Sequence, residues 1–174
     1  MGGIHASYMP EEALRYVDTV VVGEAETTWP QVLEDFAQGR MQKMYKVCEQ
    51  PDIENLLPPR RDLLRGKYFV ETVQTGRGCP INCNFCSVTA FNGPRYRLRN
   101  IDSVIEEIKS IKSKRIFIVD DNISLNVVRF QALCEAITRA GLNDVDYIVQ
   151  AMTSAIAASG DALGIVHRDV SPQN

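Results

Sequence analysis

Three of the five cysteines stand close together in the sequence, as Cys79, Cys83 and Cys86. The spacing CxxxCxxC allows one loop to wrap a small inorganic cluster, with each thiolate bound to one iron. Cubane iron–sulfur clusters usually take four thiolates. Three thiolates leave one iron open to a non-protein ligand, and a catalytic cluster needs such an open position, as catalytic zinc does.

A structural zinc site is the alternative for the same three thiolates. It needs a fourth ligand, and the remaining candidates are Cys48, Cys134, His5 and His167. None of these stands at the spacing of a zinc ribbon or finger. A disulfide framework is not expected, because the cysteine count is odd and the N-terminus lacks the pattern of an export signal.

The cysteine loop, with an aromatic residue directly before its third cysteine, resembles that of the radical S-adenosylmethionine (SAM) superfamily. The resemblance implies that Cys79, Cys83 and Cys86 bind a 4Fe-4S cluster, and that Phe85 lies beside the adenine of SAM. In that family the open iron binds the amino and carboxylate groups of SAM. An electron from the cluster then cleaves the sulfonium, which gives methionine and a 5′-deoxyadenosyl radical.

The expected function is therefore that of a radical SAM enzyme acting on a small-molecule or lipid-like substrate. A flavodoxin or ferredoxin is the expected electron donor. The alternative is a non-catalytic module that binds an iron–sulfur cluster or zinc.

A second polar group, Asp120, Asp121 and Asn122, follows a predicted strand. In barrels, the active site lies at the carboxyl ends of the strands. In the family a polar motif there hydrogen-bonds the amino group of SAM, so the resemblance implies this role for the three residues. The usual Gly-Gly-Glu is absent, and an acidic turn or helix cap is the alternative.

The charged residues do not indicate a highly charged partner. Lys and Arg total 19 against 22 Asp and Glu, so no nucleic-acid partner is expected. Arg95, Arg97 and Arg99 follow the cysteine loop and are either contacts to a carboxylate or SAM, or a solvated basic face. No apolar run approaches the roughly 20 residues of a membrane span. The expected location is the cytoplasm.

Strand and helix patterns alternate along the chain and must position these residues. Short β-branched or apolar runs predict strands, and apolar residues at intervals of three and four predict helices. The predicted strands are 17–22, 68–73, 115–119 and 147–152, and the predicted helices are 28–38, 101–111 and 127–140. Asn100 is the candidate N-cap of the second helix. The alternation predicts an α/β fold with a parallel sheet, and the resemblance implies a partial (β/α) barrel.

The N-terminal residues resemble the end of the cobalamin-binding domain that precedes many radical SAM enzymes. The resemblance rests on Gly2-Gly3-Ile4-His5 and on the run from Asp18 to Glu26. The motif Asp-x-His-x-x-Gly, which supplies the axial histidine to cobalt, does not occur in the sequence, so cobalamin is expected only in a longer protein. The expected domains are a Rossmann-like cobalamin-domain remnant (1–40), a linker (41–66), a partial radical SAM barrel (67–163) and a tail (164–174).

The tail resembles the catalytic loop of a Ser/Thr kinase, because it matches H-R-D-x-x-x-x-N with Asp169 and Asn174. The sequence has no glycine-rich loop or D-F-G motif, so kinase activity is not expected. A full barrel with a cobalamin domain needs well over 300 residues at about 30 for each βαβ unit. The chain is therefore expected to be a fragment with little or no turnover.

Overall fold

The structure, a computed structural model, describes residues 1–47 and 49–163. They form two units, the first of residues 1–47, 49–52 and 90–93, and the second of residues 53–89 and 94–163. Cys48 and the kinase-like tail with Asp169 and Asn174 lie outside the described residues. Within the described part of the chain, no helix is long and apolar enough to cross a membrane.

The first unit is built on a two-stranded parallel sheet. Its elements are α1 (Ile4–Tyr8), α2 (Pro10–Ala13), β1 (Val20–Val22), α3 (Trp29–Ala37) and β2 (Met44–Lys46). Three consecutive β-branched residues favour the extended backbone of β1, and Val20 pairs with Met44 in parallel register. The sequence predicts β1 and α3 but no strand in 41–66, where the structure has β2 with a buried Tyr45.

A buried carboxylate joins α3 to β2. Asp35 is 3% exposed and accepts hydrogen bonds from the Tyr45 hydroxyl at 2.8 Å, Arg40 Nε at 3.0 Å and Gln31 Nε2 at 2.9 Å. The hydrogen bond from Tyr45 is the main cause that lowers the pKa of Asp35, and burial opposes it. The charged form of Asp35 therefore stabilises the packing of α3 on the sheet.

The second unit contains the remaining elements in an alternating order. They are a 3₁₀ turn (Arg61–Leu63), β3 (Glu71–Val73), β4 (Gly76–Arg77), α4 (Val88–Asn92, divided between the units), β5 (Arg97–Leu98), α5 (Ile101–Ser110), β6 (Arg115–Ile118), a second 3₁₀ turn (Ile123–Leu125), α6 (Val127–Arg139), β7 (Asp146–Ile148) and α7 (Thr153–Leu163).

Three strands of the second unit form a parallel sheet in the order β3-β6-β7, with Glu71 opposite Ile116 and Arg115 opposite Asp146. This order follows the chain, and the crossover helices α5 and α6 contribute to one core on one face of the sheet. A doubly wound sheet reverses its strand order and carries helices on both faces, whereas a barrel does neither. The arrangement is therefore that of a (β/α) barrel segment, and the predicted α/β class is confirmed.

The core lies between the sheet and the two crossover helices. Alternate residues of a strand point to one face, so β6 buries Ile116 and Ile118 there, and β3 buries Val73. The helices contribute the apolar residues spaced at three and four, which are Val104, Ile105, Ile108, Phe130, Leu133, Ala136 and Ile137. Burying this set is the main stabilising contribution to the unit.

The helix starts agree with the sequence. Asn100 caps α5, since its side chain accepts a hydrogen bond from the backbone N–H of Asp102 at 2.8 Å, as predicted. Asn126 caps α6 in the same way, with the backbone N–H of Arg129 at 3.0 Å. The strands are shorter than predicted, with β3 at Glu71–Val73 and β7 at Asp146–Ile148.

Candidate functional site

The cysteine loop connects β4 to α4 and follows the carboxyl end of β3. Cys79 is half-buried, Cys83 and Cys86 are exposed, and none of the three forms a disulfide. The backbone N–H of Cys86 donates to the carbonyl of Cys83 at 3.0 Å, which brings these two residues together in one turn. Asn82 has a left-handed backbone with φ of 54°, a conformation that asparagine tolerates better than most residues. The loop therefore presents three free thiols on a short, tightly turned segment.

Phe85 lies in the same turn and is 93% exposed. An apolar ring gains nothing from full exposure to water. It sits directly before Cys86 in the chain, so a planar group bound at the loop can contact both the ring and the thiol.

The entry to the loop is fixed by Asp120, which follows β6. Asp120 is fully buried, and its two carboxylate oxygens accept hydrogen bonds from the backbone N–H and the hydroxyl of Thr75, each at 2.6 Å. The backbone of Gly76 and the hydroxyl of Tyr96 also hydrogen-bond this carboxylate. Burial raises the pKa of Asp120, and the hydrogen bonds from Thr75 oppose this shift.

The next two polar residues occupy different places. Asp121 is half-buried, and its Oδ2 accepts a hydrogen bond at 3.2 Å from the backbone N–H of Gly78, which precedes Cys79. Asn122 is buried, and its Oδ1 accepts from the hydroxyl of Ser124 at 2.7 Å, so it caps the following 3₁₀ turn. The structure thus places Asp121 beside the cysteine loop and Asn122 in a turn cap.

Sequence reasoning did not identify Tyr96 or Gly76 as part of this site. A Cβ atom added to Gly76 would lie 2.7 Å from Tyr96 Cε2 and 3.1 Å from the carbonyl oxygen of Arg97, so only glycine fits between them. Burial is the main cause that raises the pKa of Tyr96, and the neighbouring Asp120 adds to it, so the phenol stays protonated and donates. The only signal in the sequence was the position of Tyr96 after the loop.

The arginines after the loop do not form one basic face. Arg95 is exposed, whereas Arg99 is buried and its Nη1 lies 2.6 Å from Glu107 Oε2. Arg61 Nη2 lies 2.8 Å from the other oxygen of Glu107. Arg99 Nη1 also donates to the carbonyl of Gln74 at 2.9 Å. Arg99 is thus an internal ion-pair partner that holds the end of β3, which agrees with a contact to a carboxylate and not with a solvated basic face.

The loop supplies thiol donors but does not gather them in the ligand-free chain. Within residues 1–47 and 49–163, no group of three or more His, Cys, Asp or Glu side chains is arranged around a metal position, and this includes the three loop cysteines. Cys134 packs against the core from α6, and His5 is exposed near Glu12 in the first unit. Three free thiols on one loop are the donor type of a site-differentiated iron–sulfur cluster.

The first unit contains a cavity of about 440 Å³, lined by residues that include Gly2, Val21, Trp29 and Val32. Gly3 follows with a φ of 94°, in the left-handed region where a side chain is strained. The glycine pair singled out in the sequence therefore lies at the edge of an apolar cavity.

A comparison with known families matches residues 73–163 to the model of the radical SAM superfamily. This segment contains the cysteine loop, Asp120 and Asp121, the strands β6 and β7, and the last residue of β3. The chain belongs to the radical SAM superfamily. The predicted membership of an enzyme family is confirmed, and with it the 4Fe-4S cluster and SAM as the cofactors of that family.

Relatives of this radical SAM chain extend the match into the first unit. The bacteriochlorophyllide d C-8(2)-methyltransferase of Chlorobaculum tepidum is 32% identical over 72% of the chain and 32% of the relative. The hopanoid C-3 methylase of Methylococcus capsulatus is 32% identical over 85% of the chain and 33% of the relative. The chain spans about a third of the length of the curated relatives it matches.

A solved structure shows the same fold. The radical SAM methyltransferase TsrM of Kitasatospora setae, solved with cobalamin and a [4Fe-4S] cluster bound, superposes with a TM-score of 0.66 at 20% identity. The alignment covers 84% of this chain and 36% of TsrM. The predicted partial radical SAM fold is confirmed.

Proposed function

We propose that this chain carries the cluster and SAM site of a radical SAM methyltransferase. The single observation that supports this most is the cysteine loop, which presents three free thiols at the carboxyl edge of a barrel-like parallel sheet. In barrels this edge carries the chemistry, because loops from several strands converge there.

The residues of the loop have distinct roles in this proposal. Cys79, Cys83 and Cys86 hold the cluster, and Phe85 covers the adenine of SAM. When bound, the reduced cluster supplies the electron that cleaves the sulfonium of SAM. Asp121 accepts a hydrogen bond from the SAM amino group, since it is the carboxylate of the polar motif that lies beside the loop. Asn122, also assigned to SAM from the sequence, serves as a turn cap in the ligand-free chain.

The reaction class comes from the relatives. Their names describe methyl transfer to a bacteriochlorophyllide and to a hopanoid, both of which are bulky, largely apolar molecules. We therefore assign this chain to the methylation of a small-molecule or lipid-like substrate.

A reductant must deliver the electron, and we propose a flavodoxin or a ferredoxin. The described cysteines are all free thiols, which fits a reducing compartment and therefore the cytoplasm.

We propose that residues 1–40 are the remnant of a cobalamin-binding domain, that 41–66, which contain β2 of the same sheet, connect it to the barrel, and that 67–163 form the barrel part. The support is the similarity to the methylases across this unit and the apolar cavity beside the glycine pair. In a longer protein the cavity would take an apolar part of cobalamin, while the axial histidine has no counterpart motif in this sequence.

The proposed binding of cobalamin in this cavity can be tested through the fluorescence of Trp29. Trp29 is the only tryptophan and lines the cavity, so hydroxocobalamin bound there should quench its emission saturably. N-acetyltryptophanamide, measured at the same absorbance, is the control. Linear quenching equal to that of the control would remove the proposed link between this cavity and cobalamin.

The cluster assignment is tested by anaerobic reconstitution with iron and sulfide. We expect a brown protein whose visible absorbance bleaches with dithionite and whose electron paramagnetic resonance signal shifts when SAM is added, because the open iron gains ligands. Cys83→Ala should abolish iron retention, since two thiolates cannot hold a cubane.

Cys134→Ala is the matched control, because that thiol packs against the core away from the loop. Iron loss in Cys134→Ala as complete as in Cys83→Ala would contradict the three-thiolate site. Stoichiometric zinc uptake without iron would favour the structural zinc alternative.

A further inference from the structure

Both oxygens of the Asp120 carboxylate are already hydrogen-bonded within the chain. The N–H and the hydroxyl of Thr75 each donate to it at 2.6 Å, and the backbone of Gly76 and the hydroxyl of Tyr96 also interact with it. The side chain is also fully buried. A SAM amino group would have to displace one of these donors and open the interior of the sheet.

Tyr96 packs against the same entry segment that Asp120 holds. Its ring lies against Gly76 so closely that a methyl group there would be 2.7 Å from Cε2. Leu98, two residues on, pairs with Gly76 across the β4–β5 ladder. The chain leaving the cysteine loop is thereby held against the chain entering it.

The contacts of Asp120 and Tyr96 reach the backbone three and four residues before Cys79. Asp121 adds a hydrogen bond to Gly78, the last residue before Cys79. The three side chains together hold the whole entry segment, Thr75 to Gly78, to the carboxyl ends of β3 and β6.

We propose that Asp120 and Tyr96 are positioning residues that hold the entry of the cysteine loop, and that only Asp121 of the adjacent carboxylates faces SAM. This rests on the proposed function in one respect, namely that Cys79 is a cluster ligand. The anchoring itself is a property of the ligand-free chain. The sequence assigned SAM binding to both aspartates. The proposal keeps SAM binding for Asp121 and gives Asp120 the anchoring of the loop.

The first experiment measures amide hydrogen exchange of the segment Thr75–Cys79 in the metal-free chain. Asp120→Asn keeps one carbonyl oxygen and loses at least one of the two hydrogen bonds from Thr75, so exchange there should accelerate about fivefold, the change expected for one net hydrogen bond. Tyr96→Phe should act in the same direction. Tyr147→Phe is the matched control, because it removes a hydroxyl bond to the carbonyl of Leu142 elsewhere in the unit. Unchanged exchange in Asp120→Asn and Tyr96→Phe, with native circular dichroism, would overturn the proposal.

The second experiment uses the reconstituted chain and compares Asp120→Asn with Asp121→Ala. We expect Asp120→Asn to speed iron loss to a chelator about fivefold while SAM affinity per assembled cluster stays within about twofold. Asp121→Ala, which also removes the hydrogen bond to Gly78, should lose at least about tenfold in SAM affinity per assembled cluster, as expected for a charge-assisted hydrogen bond. Equal losses of SAM affinity with iron retained in both variants would refute the division of roles. If the wild-type chain holds no cluster, the proposed function fails. Amide hydrogen exchange in the metal-free chain then decides by itself whether Asp120 and Tyr96 anchor the loop.

Discussion

Glu107 on α5 is the site of the largest stability effect that we expect from a single substitution. Its carboxylate lies 2.6 Å from Arg99 and 2.8 Å from Arg61, and the side chains of Glu107 and Arg99 are each 2% exposed. Glu107→Gln keeps the size of the side chain but removes the charge that pairs with both guanidinium groups. Arg99 then stays buried beside an amide oxygen, while Arg61 keeps its ion pair with Glu71 at 3.5 Å.

Breaking a buried ion pair by removing one partner costs about 3–5 kcal/mol. The lower end applies here, about 3 kcal/mol, because the glutamine carbonyl still accepts one hydrogen bond and Arg99 still donates to the carbonyl of Gln74. A domain of this size loses about 4 °C in melting temperature for each kcal/mol, so we expect a fall of about 12 °C.

Glu106→Gln provides the control on the same helix. Glu106 pairs with Lys109 at 2.7 Å, but its side chain is 71% exposed, so its loss should cost about 0.5 kcal/mol or less. Urea denaturation followed by far-ultraviolet circular dichroism measures both variants, while Trp29 fluorescence follows the other unit. If Glu107→Gln and Glu106→Gln differ by less than about 1 kcal/mol, the buried network does not stabilise the sheet as argued.

Two further predictions concern stability. The pKa of Asp35 is lowered, first by the hydrogen bond from Tyr45, so its contribution is present above its unfolded value of 3.8 and is lost as pH falls through the lower folded value. Asp35→Asn should therefore remove this part of the loss of stability in acid. Trp29 fluorescence during an acid titration measures the transition. An acid transition unchanged from that of the wild type would contradict the prediction. Gly76→Ala should cost about 1–3 kcal/mol, because the added methyl group meets the Tyr96 ring at 2.7 Å, and urea denaturation would show otherwise if the variant were as stable as the wild type.

Local patterns predicted the parts of the fold that depend on local residues. The apolar spacing from Ile101 predicted α5 to within one residue of its end, and Asn100 caps the helix as predicted. The run of β-branched residues gave β1. By contrast, β2 at Met44–Lys46 has three residues and owes its position to pairing with β1, which no local pattern encodes.

The residues of the candidate site also separate into those that a local pattern predicts and those that depend on partners distant in the sequence. Cysteine spacing and Phe85 single out the loop in the sequence, because the predicted chemistry needs those residues within one short segment; their roles stay predictions. The role of Asp120 depends on Thr75, 45 residues earlier in the chain, and that of Arg99 on Glu107 of a neighbouring helix. A charged side chain in a sequence is expected at the surface, and only the three-dimensional structure shows that its partner is buried with it.

The tie between Asp120 and Thr75 also has a consequence for synthesis of the chain. The ribosome adds about 5–20 residues per second, so Asp120 is made roughly 2–9 seconds after Thr75. During that interval the three thiols have already been made, while the carboxylate that fixes their loop does not yet exist. For the cluster site proposed above, we therefore expect insertion into an ordered loop only after β6 and Asp120 have emerged, since until then the nascent loop lacks this anchor.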